Sequence, residues 1–115
     1  MNEMPRPNDA LSNFELMVLL ALIRLGDEAY GVPISAAIES ESGRDVSIGS
    51  VYAALERLET KGFVRSALGE ATAARGGRAK RYFEITGKGL KEVRHTQRTL
   101  VRLWTGIPKL EVEKT

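Results

Sequence analysis

The apolar positions of this chain fall into four helical stripes and one alternating pair of strands. Between Ser47 and Gly62, Val51, Ala54, Leu55 and Leu58 recur at the i, i+3, i+4, i+7 spacing of a helix that buries one side. Ser47 is placed to cap its start, and Gly62 supplies a left-handed stop. The opposite side carries Gly49, Ala53, Glu56 and Thr60, flanked by Ser50, Tyr52 and Arg57, so its first turns are small, hydroxylated and almost uncharged. Upstream, Ser12-Asn13-Phe14-Glu15 has the form of a capping box, with Leu11 and Leu16 spaced as a hydrophobic staple. The helix it opens runs through Leu16, Val18, Leu19, Leu20, Leu22 and Ile23 to Leu25 and stops at Gly26. A helix apolar around so much of its circumference needs cover on more than one side, and a partner subunit is one source of it.

Asp27 to Gly31 form a connector, and Pro33 fits the first turn of a second helix from Val32 to about Glu41, with Ile34, Ala37 and Ile38 inward and Ser42-Gly43 at its end. Only Arg44 to Val46 then precede Ser47, so the second and third helices form a helix-turn-helix resting on the first. Beyond Gly62 the period changes to that of strands, Phe63 to Leu68 and Ala79 to Thr86, the latter alternating Arg81, Phe83 and Ile85 against Lys80, Tyr82 and Glu84. The Gly-rich connection makes this a β-hairpin with Arg75-Gly76-Gly77-Arg78 at its tip. Thr86 caps a last helix to about Gly106, where Pro108 prevents extension, and Leu90, Val93, Gln97, Leu100, Trp104 and Ile107 form a coiled-coil-like seam along it. The expected fold is mainly α with a small β-hairpin (α+β): a winged helix-turn-helix plus a C-terminal dimerisation helix. Its expected divisions are a flexible arm over 1–10, the winged-helix domain over 11–86, the dimerisation helix over 87–107 and a tail over 108–115. The seam and the first helix predict a two-fold homodimer through Leu16, Leu19, Leu20, Ile23, Leu90, Val93, Gln97, Leu100 and Trp104.

Charge sharpens this picture. The formal net charge is only +2 over 115 residues, but residues 1–45 hold three basic and eight acidic side chains whereas 62–82 hold five and one. Basic charge thus follows the third helix directly, where a polyanion contact belongs if that helix enters a DNA groove. The candidate contacts to double-stranded DNA are Ser47, Gly49, Ser50, Tyr52, Ala53 and Arg57 on the helix, and Arg75, Arg78, Lys80 and Arg81 on the wing. Chemistry of other kinds is poorly provided for. There is no cysteine, the single histidine, His95, has only Glu92 as a neighbouring carboxylate, and no catalytic set, metal site or cofactor site is expected. The longest apolar run, Leu16 to Ile23, is eight residues, so no membrane partner is expected and the cytoplasm is the expected location. A winged-helix adaptor that binds protein instead of DNA remains open on these residues alone.

Three blocks carry a resemblance to a known family. Ala29-Tyr30-Gly31-Val32, the stretch Gly49-Ser50-Val51-Tyr52 through Gly62-Phe63-Val64, and Arg78-Ala79-Lys80-Arg81-Tyr82-Phe83-Glu84-Ile85-Thr86-Gly87-Lys88-Gly89 resemble the PadR-type transcriptional regulators in order and spacing. The likeness covers roughly residues 11 to 105, and the single terminal helix is similar to that of the small subfamily. It implies a DNA-binding repressor, dimeric through its last helix with help from the first, with Ser50 and Tyr52 on the recognition helix and Arg78, Lys80 and Arg81 at the wing. Some small relatives bind planar aromatic compounds at the dimer centre, which marks Trp104 as a candidate contact for a small aromatic effector beside its packing role.

Overall fold

Three of the four α-helices among the described residues, all but the second, begin at a hydroxyl side chain that accepts a hydrogen bond from the first turn. A computed structural model describes residues 10–69 and 80–110 and contains α1 (Asn13–Leu25), α2 (Gly31–Ser42), α3 (Ile48–Thr60), β1 (Val64–Leu68), β2 (Arg81–Ile85) and α4 (Gly87–Trp104). Short 3-10 turns follow at Gly26–Glu28 and Pro108–Leu110. The capping box at Ser12 and Glu15 is formed in both directions. Ser47 accepts the Ser50 N–H at 3.0 Å and Thr86 that of Gly89 at 3.0 Å, so α3 and α4 are capped as their sequences require. Gly43 ends α2 and Gly62 follows α3, both with positive φ. The last helix stops sooner than its seam implies. Thr105 leaves the helix and donates its hydroxyl to the Val101 carbonyl, Gly106 turns left-handed at φ 81°, and the residue before Pro108 is biased away from helix.

Val18, Leu19 and Leu22 of α1, Ile34 and Ile38 of α2, and Val51, Ala54, Leu55 and Leu58 of α3 close over one another as the core. Phe63, Val64 and Phe83 add the hairpin to it. The strands are antiparallel, in a register running from Val64 opposite Ile85 to Leu68 opposite Arg81. The Phe83 N–H reaches the Ala29 carbonyl at 2.8 Å, which ties the hairpin to the chain just ahead of α2. Gly89 lets α4 begin against the α3–β1 turn. A Cβ there would run into the Phe63 carbonyl oxygen and lie 2.7 Å from Ile85 Cγ1.

One charge is sunk between α1 and α3. Glu15 is 2% exposed. Its Oε1 accepts from the Ser12 N–H and from Lys61 Nζ, each at 2.9 Å, and its Oε2 accepts from Arg57 Nε at 2.9 Å. Burial alone would raise the carboxyl pKa, but the hydrogen bonds from Ser12, Lys61 and Arg57 outweigh it and bring the value from 4.5 down to about 2. Since the folded value lies below the unfolded one, the stabilisation is complete above the ordinary carboxyl pKa and is lost as pH falls from 4.5 towards 2. Its size is on the order of 3 kcal/mol. Glu15→Gln is therefore expected to lower stability at neutral pH and to flatten the acid limb of the pH–stability curve, as read from urea midpoints at neutral and acidic pH.

Candidate nucleic-acid interface

The first two turns of α3 present Ser47, Gly49, Ser50 and Ala53 to solvent while Val51, Ala54 and Leu55 hold the helix from behind. The hydroxyls of Ser47 and Ser50 lie 2.8 Å apart. No side chain at these four positions extends far from the backbone, so the helix axis can approach base edges closely. Arg57 lies two turns further on. Its Nε is committed to Glu15 and 53% of its side chain stays exposed, so it serves the α1–α3 junction as well as the outer surface.

Tyr52 is exposed like Ser50 and Ala53, but its ring leans back on the protein. Its ring tilts against Phe83 at 6.3 Å between centroids, and its hydroxyl lies 2.6 Å from where a Cβ on Gly31 would stand. This pairs Gly31 at the start of α2 with Tyr52 on α3: the glycine leaves the space that the tyrosine occupies. Tyr30 packs edge-on against Tyr82 at 5.3 Å and accepts a hydrogen bond from Lys80 Nζ at 2.8 Å. Lys80 is thereby fixed at the base of the wing, over the chain that leads into α2. Arg81 is held differently. Its Nε and Nη2 donate to Ser66 Oγ at 3.2 and 3.0 Å, and Nη2 stands 3.7 Å from Glu59 of α3, to which Ser66 also donates. Arg81 therefore fastens the wing to α3, with its charge offset by Glu59. Arg75 and Arg78, the expected wing tip, lie outside the described residues.

The sequence-family model described as "Transcriptional regulator PadR-like family" matches residues 19–95, which run from the middle of α1 to the middle of α4. The chain belongs to this PadR-like family. It is therefore a transcriptional regulator acting through DNA, and not an enzyme. Among solved structures it is similar to a transcriptional regulator from Clostridium thermocellum, at 27% identity and TM-score 0.67, covering 85% of this chain and 92% of that one. It is also similar to a PadR family transcriptional regulator from Eggerthella lenta, at 25% identity and TM-score 0.64, covering 84% and 83%. A PadR-like regulator from Bacillus cereus shares the fold at 22% identity and TM-score 0.69, covering 88% and 93%. No curated protein matches the sequence. No helix among the described residues is long and apolar enough to cross a membrane.

In this PadR-like chain α4 crosses α1 and leaves an open apolar groove of about 690 Å³, lined by Leu16, Leu20, Val93, Gln97, Leu100 and Trp104 among others. Leu20, Ile23, Leu100 and Trp104 are exposed, and Leu90 and Val93 half-buried. Leu19 departs from the expected dimer set. It is fully buried among the core side chains of its own chain and has no surface to offer a second copy. Three residues gain roles that the sequence did not announce: Glu15 at the α1–α3 junction, Glu59 against Arg81, and the buried Ser35. Only the capping box marked Glu15 at all, because its cations lie 42 and 46 residues away. Glu59→Gln would leave Arg81 without its carboxylate. The expected result is roughly a two- to fivefold gain in affinity for random-sequence duplex at low salt, fading as salt rises; fluorescence anisotropy titrations at two salt concentrations check it.

Proposed function

We propose that this chain is a dimeric repressor that reads an inverted repeat, with α3 of each subunit in the major groove and the wing cations on the flanking backbone. The observation that carries this reading is the bare surface of α3 from Ser47 to Ala53, on a helix whose other side is locked into the core of a PadR-like regulator. Ser50 and Tyr52 lie nearest the bases, the Ser47 cap faces a phosphate, and Arg75, Arg78, Lys80 and Arg81 follow the backbone. Two units about a two-fold axis match half-sites about 34 Å apart. With so few long side chains on the helix, phosphate contacts and DNA shape supply much of the affinity.

Dimerisation is supported by the surface that a single chain leaves open. Val101, Leu103 and Trp104 are between 55% and 66% exposed at the end of α4, beside the groove. A monomer in water gains by covering such a patch, and the α4 seam gives a second copy the means to do so. The same groove, with Trp104 on its wall, suits a planar aromatic effector whose binding alters the dimer and releases DNA. Leu100→Asp is expected to shift the chain to monomer in sedimentation velocity and to lower operator affinity at least tenfold, because two half-sites are then no longer bound as one unit.

The deciding experiment measures binding of the purified chain to its own upstream intergenic DNA against a scrambled duplex, at two salt concentrations. Specific, salt-sensitive binding is the expected outcome. In Arg75→Ala/Arg78→Ala/Lys80→Ala the slope of log affinity against log salt should become shallower by about one for each phosphate that the protein no longer neutralises, with sequence preference kept. An unchanged slope removes the wing from the interface. Absence of DNA binding under every condition points to the protein-binding adaptor instead.

A further inference from the structure

The turn between α2 and α3 is held through a single residue. Val46 immediately precedes the Ser47 cap, and both of its backbone polar groups are taken by side chains of α2. The Ser35 hydroxyl donates to the Val46 carbonyl at 2.7 Å, and Glu39 Oε2 accepts the Val46 N–H at 2.7 Å. Ser35 and Glu39 are four residues apart, hence on one side of α2. Ser35 is 6% exposed, so its hydroxyl has little access to water as a substitute partner. By contrast, Arg44 is tied only locally, to Ser42 Oγ at 3.2 Å, and Gly43 is a left-handed cap.

We infer that Ser35 and Glu39 are positioning residues for DNA reading: together they fix the point from which α3 is launched, although neither is among the groove-facing residues. This rests on the reading of α3 as the helix that enters the groove. Gly49, Ser50 and Ala53 stand within two turns of Val46, so a shift of the pivot is passed to them almost undiminished. Hydrogen bonds to base edges tolerate only a few tenths of an ångström before they weaken. Contacts to phosphates through the mobile ends of long side chains are more forgiving. Loss of the clamp therefore acts on discrimination between sequences more than on affinity for DNA in general. What Glu39 supplies is an acceptor, and a glutamine oxygen can fill that place.

The test compares wild type, Ser35→Ala, Glu39→Ala, Glu39→Gln and the Ser35→Ala/Glu39→Ala double variant. Affinity is read by fluorescence anisotropy on a duplex selected from a random pool by the wild-type chain and on a scrambled duplex, with folding checked by circular dichroism. Each alanine variant is expected to lose roughly five- to tenfold in the ratio of specific to non-specific affinity, with scrambled-duplex binding unchanged within about twofold. Glu39→Gln should stay within about twofold of wild type, and the double variant should fall short of the product of the singles, because both side chains act on one residue. A role in stability alone would lower the melting temperature and leave the ratio where it was; that result in a folded Ser35→Ala overturns the inference. Equal losses in Glu39→Gln and Glu39→Ala overturn the acceptor role. If neither alanine variant folds, amide exchange in the wild type decides: a Val46 N–H as labile as an open loop overturns the clamp. Failure of the wild-type chain to discriminate the two duplexes overturns the groove reading and this inference with it, whereas wild-type discrimination with unaltered variants overturns the clamp alone.

Discussion

The carboxylate of Glu15 is the contact that makes one body of α1 and α3. It caps α1 through the Ser12 N–H and accepts hydrogen bonds from Arg57 in the last turn of α3 and from Lys61 at its C-cap. A buried carboxylate is tolerated only when its lone pairs are met, and here three donors meet them. Removing any one leaves the charge short of a partner in a place that water hardly reaches, which makes the junction more demanding than an apolar contact of equal area. The apolar stripe of α3 supplies adhesion; Glu15 fixes where along α1 the helix lies. With its far end set by Glu15 and its near end by Val46, α3 can leave its outer surface bare.

These contacts also change what the charge distribution means. The stretch from Gly62 to Tyr82 is rich in cations, but Arg65 faces Glu84 at 2.9 Å and Arg81 faces Glu59 at 3.7 Å. Arg57 and Lys61 share Glu15. Two of the five cations of residues 62–82, Arg65 and Arg81, are thus engaged by carboxylates of β2 and α3. The exposed Arg65–Glu84 and Arg81–Glu59 pairs contribute little to stability, about 0–1 kcal/mol each. Their greater effect is to aim the strands.

The elements legible in the sequence are those whose determinants are local. Ser12 with Glu15, Ser47 and Thr86 cap helices within three residues of themselves, and the stripe Val51, Ala54, Leu55, Leu58 repeats within one helix, so periodicity and capping rules suffice. The pairings across the fold were not legible. Nothing near Glu15 in the chain points to Arg57 or Lys61, and nothing near Ser35 points to Val46. Leu19 illustrates the same limit for apolar residues. Periodicity tells that α1 is apolar nearly all round, but which arc meets the chain's own core depends on α2 and α3, and they claim Leu19 while leaving Leu20 and Ile23 exposed. The candidate groove surface was readable for the converse reason: small residues facing out of a capped helix are a local pattern.

α1 belongs to both surfaces that matter. Leu16 and Leu20 line the groove beneath α4, and Val18, Leu19 and Leu22 are core. Glu15, adjacent to Leu16, holds the end of α3. A close-packed helix of 13 residues does not absorb displacement by bending within one turn. In the proposed dimer, whatever occupies the groove and shifts α1 acts on the carboxylate that locates α3, with no intervening flexible segment. Coupling along this contiguous route requires two arrangements of α1 that the seam and the DNA favour unequally. The two surfaces meet at one residue: the acid that starts the first helix also anchors α3.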